Sequence, residues 1–127
     1  MGYIPNKNYA HIRGNIGREP RTSKMRGEAF VVNIVIATSE SYYDKKEEAW
    51  KKTDPEWHNV TIWNDKNALG LKKGDTVDVE GKIRTKKDTD KDGNERWTTY
   101  IQADRIFLIP KSYGPSAVGD LPEDDQF

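Results

Sequence analysis

The residues best equipped for chemistry in this chain are aromatic rings set among basic side chains. Four tryptophans and six tyrosines stand in 127 residues. A ring face stacks on any nucleobase, and an ammonium or guanidinium group neutralises phosphate, so rings interleaved with cations suit an unpaired nucleic-acid strand. Residues 57–63 (Trp-His-Asn-Val-Thr-Ile-Trp) are the most informative such segment. Period two puts Trp57, Asn59, Thr61 and Trp63 on one face, and His58, Val60 and Ile62 on the other. The Val/Ile face is the natural core side, which turns both tryptophans toward water. Two readings of that face stay open: it packs on another element or subunit, or it is a stacking platform.

A second segment, residues 39–57, begins with Tyr42 and Tyr43 and carries Lys45, Lys46, Trp50, Lys51 and Lys52. It suits a nucleic-acid finger, but Asp44, Glu47, Glu48 and Asp54 nearly cancel its lysines, as in an ordinary solvated loop. Arg84-Thr85-Lys86-Lys87 is the densest basic stretch. Lys72 and Lys73 cap the end of a candidate helix and answer its dipole equally well. Asp88, Asp90 and Asp92 before Gly93 open like a calcium loop, yet the twelfth position is Thr99 rather than Glu, and strands flank the segment. An Asp/Gly-rich turn is the expectation, and no metal or other cofactor is expected. His11 and His58 have no metal-ligand spacing, and no phosphate loop, nucleophile elbow or zinc motif occurs. No enzyme is expected; hydrolysis by the three aspartates with a divalent metal is the weakest of the readings considered.

The elements that must position these residues read as strands. Residues 29–39 are Val/Ile-rich with apolar positions on both faces, as a fully buried strand would be. Residues 57–63, 76–84 and 96–109 alternate or are rich in Thr, aromatic and branched residues. Asp92-Gly93 should turn the chain between the last two, and Gly14 and Gly81 suggest bulges or the sharp coiling that small barrels require. Residues 65–72 are the only helix candidate, with Gly74 placed to end it. The expected fold is all-β with one short helix, in the pattern of a five-stranded OB-type barrel.

Charge divides unevenly along the chain. Residues 1–111 hold all 21 basic residues and 17 acids, whereas 112–127 hold no base and four acids, so a net +4 body precedes a net −4 end. A basic body suits a polyanionic partner. The absence of cysteine excludes disulfides, zinc-thiolate sites and thiol catalysis. No apolar run approaches the ~18 residues of a membrane span, and residues 1–10 lack a signal-peptide core, so a soluble cytoplasmic protein is expected. From Pro110 onward, Pro, Gly and small polar residues imply a disordered tail, which divides the chain into a domain over 1–110 and a flexible segment over 111–127.

Taken in order, these segments resemble the bacterial and phage-type single-stranded DNA-binding proteins. The resemblance runs through Gly14-Asn15-Ile16-Gly17, Pro20, Asn33, Ala37-Thr38-Ser39-Glu40-Ser41-Tyr42, Glu56-Trp57-His58, Lys73-Gly74, Val79-Glu80-Gly81, Arg84-Thr85-Lys86-Lys87, Asp92-Gly93-Asn94 and Arg96-Trp97-Thr98-Thr99. It implies an OB barrel assembled as a homotetramer that coats single-stranded DNA in replication, recombination and repair. It implies stacking by Tyr42, Trp57 and Trp63, with Trp97, on the face of Ile101, as core or a substitute platform. Phosphate contacts fall to Lys45, Lys73, Arg84, Lys86 and Lys87, and a subunit contact to His58. Asp88 replaces a stacking aromatic, and His11 and Arg13 replace aliphatic residues of the first strand. The acidic tip, Asp120, Glu123, Asp124, Asp125 and Phe127, resembles the family's docking site for replication and repair proteins, although Gln126 replaces its proline. The alternative function is an OB-fold interaction module of the primosome type that binds nucleic acid secondarily.

Overall fold

A computed structural model describes residues 2–111. Eight strands form: β1 (Ala10–Ile16), β2 (Arg21–Lys24), β3 (Phe30–Thr38), β4 (Ser41–Asp44), β5 (Ala49–Lys52), β6 (Glu56–Trp63), β7 (Thr76–Thr89) and β8 (Glu95–Ile109). Six of them make one sheet in the order β1-β7-β8-β6-β3-β2, while β4 and β5 pair as a separate hairpin. β1 also pairs with β3 through Asn15↔Ala37 and Ile16↔Ile36, so the sheet curls until its first strand meets its fifth. This all-β, OB-fold-like architecture follows from the alternation in the sequence. Ile16, Val32, Ile34, Ile36, Val60, Ile62, Val77, Val79, Ile101 and Ile106 converge in one core, supplied by every strand of the curl.

Both glycines expected to interrupt strands are sites of close approach, for different reasons. At Gly14 a Cβ would collide with the Ala37 carbonyl oxygen, because β1 and β3 meet there. No register shift occurs in β1, so Gly14 allows closure without a bulge. At Gly81 a Cβ would strike the Gln102 carbonyl, and here the β7–β8 register does shift, between Glu80 and Gly81. Beyond that bulge, β7 runs on to Thr89, exposed and paired to β8, as an arm that leaves the core.

Two local expectations need correction. Residues 65–72 form no α-helix; a five-residue 3₁₀ turn spans Lys66–Gly70, and Gly74 lies beyond its end. Its buried anchors are Ala68 and Leu71, three residues apart, which matches a repeat of three rather than 3.6. Asp65 caps the turn by accepting from the Asn67 N–H at 2.9 Å. Residues 39–57, expected as a loop, contain the β4–β5 hairpin, whose faces are both largely exposed and so carry no hydrophobic alternation. β2, with all four residues exposed, was equally silent. The acidic tip and most of the expected tail, residues 112–127, lie outside the described residues.

Candidate nucleic-acid interface

β6 keeps the two-faced division that its sequence implies. Val60 and Ile62 are buried, while Trp57 and Trp63 stand 58% and 47% exposed. Register extends their face across the sheet. Arg21 of β2 pairs with Asn33 of β3, Asn33 with Thr61 of β6, Thr61 with Gln102 of β8, and Gln102 with Lys82 of β7. Side chains join the row as well: Thr61 Oγ1 donates to Asn33 Oδ1 at 2.9 Å, and Arg84 Nε donates to Gln102 Oε1 at 3.2 Å. The two tryptophans bracket this polar row along β6, about 20 Å apart by strand rise.

Gly17 sets the attitude of Trp57. Its N–H donates to the Val35 carbonyl at 2.9 Å, which fixes the backbone, and a Cβ there would overlap the Trp57 ring. The six-membered ring of the indole therefore packs directly on the Gly17 backbone, while Trp57 as a whole stays largely exposed. Two residues on, Glu19 Oε1 accepts from the Lys73 N–H at 3.0 Å, which tethers Lys73 to the same turn.

On the β7–β8 arm, alternation divides the expected contacts. Arg84 and Lys86 share the face of Gln102 and Tyr100, and Lys86 Nζ lies 5.9 Å from the Tyr100 ring centroid. Lys87 and Trp97, a cross-strand pair, point to the opposite face. Lys87 sits 6.0 Å over the Trp97 ring and 2.8 Å from Glu95. The structure thus brings Trp57, Trp63, Arg84 and Lys86 to one surface and sets Trp97 and Lys87 behind it. Asp88 is on the Arg84 face, across from Arg96. At the arm's tip, Asp90 Oδ1 accepts from the Asp92 and Asn94 N–H groups at 2.9 and 2.8 Å, and Gly93 adopts φ +84°. The Asp-rich segment is a self-capped turn.

Tyr42 and Lys45 belong to the β4–β5 hairpin, Tyr42 facing Lys51 across it and Lys45 in its turn. His58, half-buried, is 2.8 Å from Thr38 Oγ1 of the same chain. Sequence reading missed Arg21, Gln102 and Tyr100 as members of the surface; only strand register assembles them. It also missed a polar cluster formed by β1 and β7. His11 Nε2 is 2.6 Å from Asp78 Oδ1, Arg13 Nε donates to Asp78 Oδ2 at 3.0 Å, and Glu80 lies close by. Both Asp78 oxygens are taken, so the cluster is an ion-pair network that satisfies a buried carboxylate.

A curled all-β sheet with rings and cations on one continuous face defines an OB-fold-like binding protein. Residues 7–109 match the single-strand binding protein family, and the chain belongs to that family. Among curated relatives, single-stranded DNA-binding protein 1 of Xylella fastidiosa (strain 9a5c) is 32% identical over 121 residues, 93% of this chain and 88% of that protein. Among solved structures, a Plasmodium falciparum SSB in complex with ssDNA superposes with TM-score 0.70 at 22% identity, covering 86% of this chain and all of that one. A small single-stranded DNA-binding protein from Streptomyces coelicolor gives 0.65 at 23%, covering 87% and 100%. As a member of a family of binding proteins, the chain is not an enzyme.

Proposed function

We propose that this protein coats and protects single-stranded DNA without sequence preference in replication, recombination and repair. Trp57, Trp63 and Tyr42 stack bases, while Arg84, Lys86, Lys45 and Lys73 line the phosphate path. Lys87 and Trp97 serve a strand passing behind the arm. The observation that carries this reading is the single face on which Trp57 and Trp63 bracket a polar row ending at Arg84 and Lys86. Rings provide sequence-tolerant affinity, and the cations provide the salt-dependent part.

The binding domain in this reading is a five-stranded OB barrel over residues 1–110, made by β1, β3, β6, β7 and β8. It assembles as a homotetramer, with His58 near a subunit contact. In support of assembly, β1 meets β3 only at Asn15 and Ile16, leaving one edge of residues 10–14 without a strand partner among the described residues. The acidic segment Asp120, Glu123, Asp124, Asp125 and Phe127 recruits replication and repair proteins, in the bacterial nucleoid or, for a phage-encoded chain, the host cytoplasm. The test is substitution on the platform. Trp57→Ala and Trp63→Ala should each weaken binding to oligo-dT by roughly 1–3 kcal/mol with an unchanged circular dichroism spectrum. Loss of folding with full affinity in the residual folded fraction would instead mark these rings as packing residues.

A further inference from the structure

β1 stops short of the edge it serves. Its ladder with β7 ends at Ala10↔Gly81, yet β7 continues to Thr89. Residues 82–89 therefore have β8 on one side and no strand on the other among the described residues. The register is nevertheless carried one pair further, by a side chain. Asn8 Nδ2 donates to the Ile83 carbonyl at 2.8 Å, and the Ile83 N–H donates to Asn8 Oδ1 at 2.8 Å. An unbroken ladder would set Asn8 opposite Ile83, two residues beyond Ala10↔Gly81. The Asn8 amide thus stands in for a main-chain pair, and it holds the preceding residues one side chain's length off the edge.

The residues before Asn8 suit the place they do not occupy. In the same register Asn6 falls opposite Thr85 and Ile4 opposite Lys87. Like Ile83, those two β7 residues turn their N–H and C=O groups toward the β1 side. Pro5 falls opposite Lys86, where the N–H of an edge strand points to solvent and its loss removes no ladder bond. What opposes closure is charge. Lys7 falls opposite Arg84, with Lys86 next along that face, and none of the three makes an ion pair among the described residues. Like charges directly opposite each other destabilise a strand pair. Residues 2–9 are accordingly exposed, Tyr3 and Ile4 each to 86%.

We propose that residues 3–7 are a strap that zips onto the free edge of the arm when single-stranded DNA lies on the Arg84/Lys86 face. A phosphate between Lys7 and Arg84 turns their repulsion into a shared attraction. Closure replaces the Asn8 amide with main chain at Ile83 and adds the pairs of Asn6 with Thr85 and Ile4 with Lys87. Tyr3 then arrives beside Asp88 on the Arg84/Lys86 face as a further stacking ring, and Ile4 joins Lys87 and Trp97 on the other. The strap is the occupant because it is already in register. A second copy's arm would instead bring its own Lys82, Arg84, Lys86 and Lys87 against the same four cations. The proposal rests on the function proposed above, and its test separates the two.

Amide hydrogen exchange at Thr85 and Lys87 is followed in the full chain, free and saturated with oligo-dT, and in Asn6→Pro and Lys7→Glu. Both amides should exchange fast in the free chain and slow by about 10-fold or more with oligo-dT. Lys7→Glu, which sets an acid opposite Arg84, should slow them without DNA. Asn6→Pro removes the N–H that pairs with Thr85; it should abolish the slowing and weaken oligo-dT binding about 5-fold, the lower end for one lost stack. Tyr3→Ala should show the same loss of affinity with the slowing retained, and Tyr3→Phe should recover it. Equal slowing in Asn6→Pro and the full chain overturns the strap, because DNA itself would then cover the edge. Lys7→Glu that exchanges like the full chain overturns the charge gate. Slowing that grows with protein concentration overturns the strap in favour of arms that pair between copies. Oligo-dT bound with no change at either amide removes the strap and leaves the proposed function standing. Failure of the full chain to bind oligo-dT at low salt removes that function, and the gating by DNA falls with it.

Discussion

A tryptophan stacks well only when its ring is both accessible and positioned, and in this protein Gly17 leaves the space that the exposed Trp57 ring occupies. Replacing Gly17 with Ala places a methyl where the ring now lies and forces the indole to tilt or swing out. The expected outcome is a loss of oligo-dT affinity approaching that of Trp57→Ala, with a smaller change in urea midpoint, read together by fluorescence titration and denaturation. Normal affinity in Gly17→Ala would mean that ring orientation is immaterial. At this scale the sequence is most legible: strict alternation in β6 by itself sets Trp57 and Trp63 on one exposed face. It said nothing about Gly17 beneath the ring, or about Asp78 beneath His11 and Arg13. Those contacts join residues on different strands, 65 to 67 positions apart in the case of Asp78.

The β4–β5 hairpin and the arm are elements whose behaviour follows from their own bonds. In the hairpin, the Glu47 backbone N–H, followed by the Lys51 ammonium, holds the Asp44 carboxyl below its usual value. A depressed carboxyl stabilises the fold above its unfolded value of ~3.9 and loses that contribution as pH falls through the folded one. The edge-to-face contact of Tyr43 with Trp50 across the hairpin should therefore persist above about pH 4 and fade below it. Carboxyl and side-chain NMR titration reads both; a midpoint at or above that of free aspartate would contradict the turn's geometry. In the arm, Arg84→Gln and Lys86→Gln should each reduce the slope of log K against log salt by about 0.7, if each meets one phosphate. An unchanged slope would remove that residue from the path. Elements with one buried face were readable from sequence, and those with none were not. β3 showed as an apolar run, β6 and the start of β7 as alternation and β8 by its Thr, aromatic and branched residues, whereas β2, β4 and β5 are exposed on both sides and leave no periodic signal. The 3₁₀ turn replaced an expected helix because two buried anchors, Ala68 and Leu71, are too few to support an α-helical face.

For the whole molecule, the formal charge of zero conceals a net +4 over residues 1–111 and −4 over 112–127. The fold concentrates part of that excess rather than spreading it: Arg21, Lys82, Arg84 and Lys86 come from strands at both flanks of one face, with the β6 tryptophans between them. This convergence was invisible in the sequence, because it depends on the order β7-β8-β6-β3-β2 and on the curl that closes β1 against β3. On the proposed function, base stacking and charge neutralisation would share this one surface. The most direct measurement is intrinsic tryptophan fluorescence during titration with poly-dT, repeated across a salt series. The expected result is strong quenching, with log K falling linearly against log salt by about 0.7 per phosphate neutralised. Unchanged fluorescence at low salt, with poly-dT bound or unbound, would contradict it.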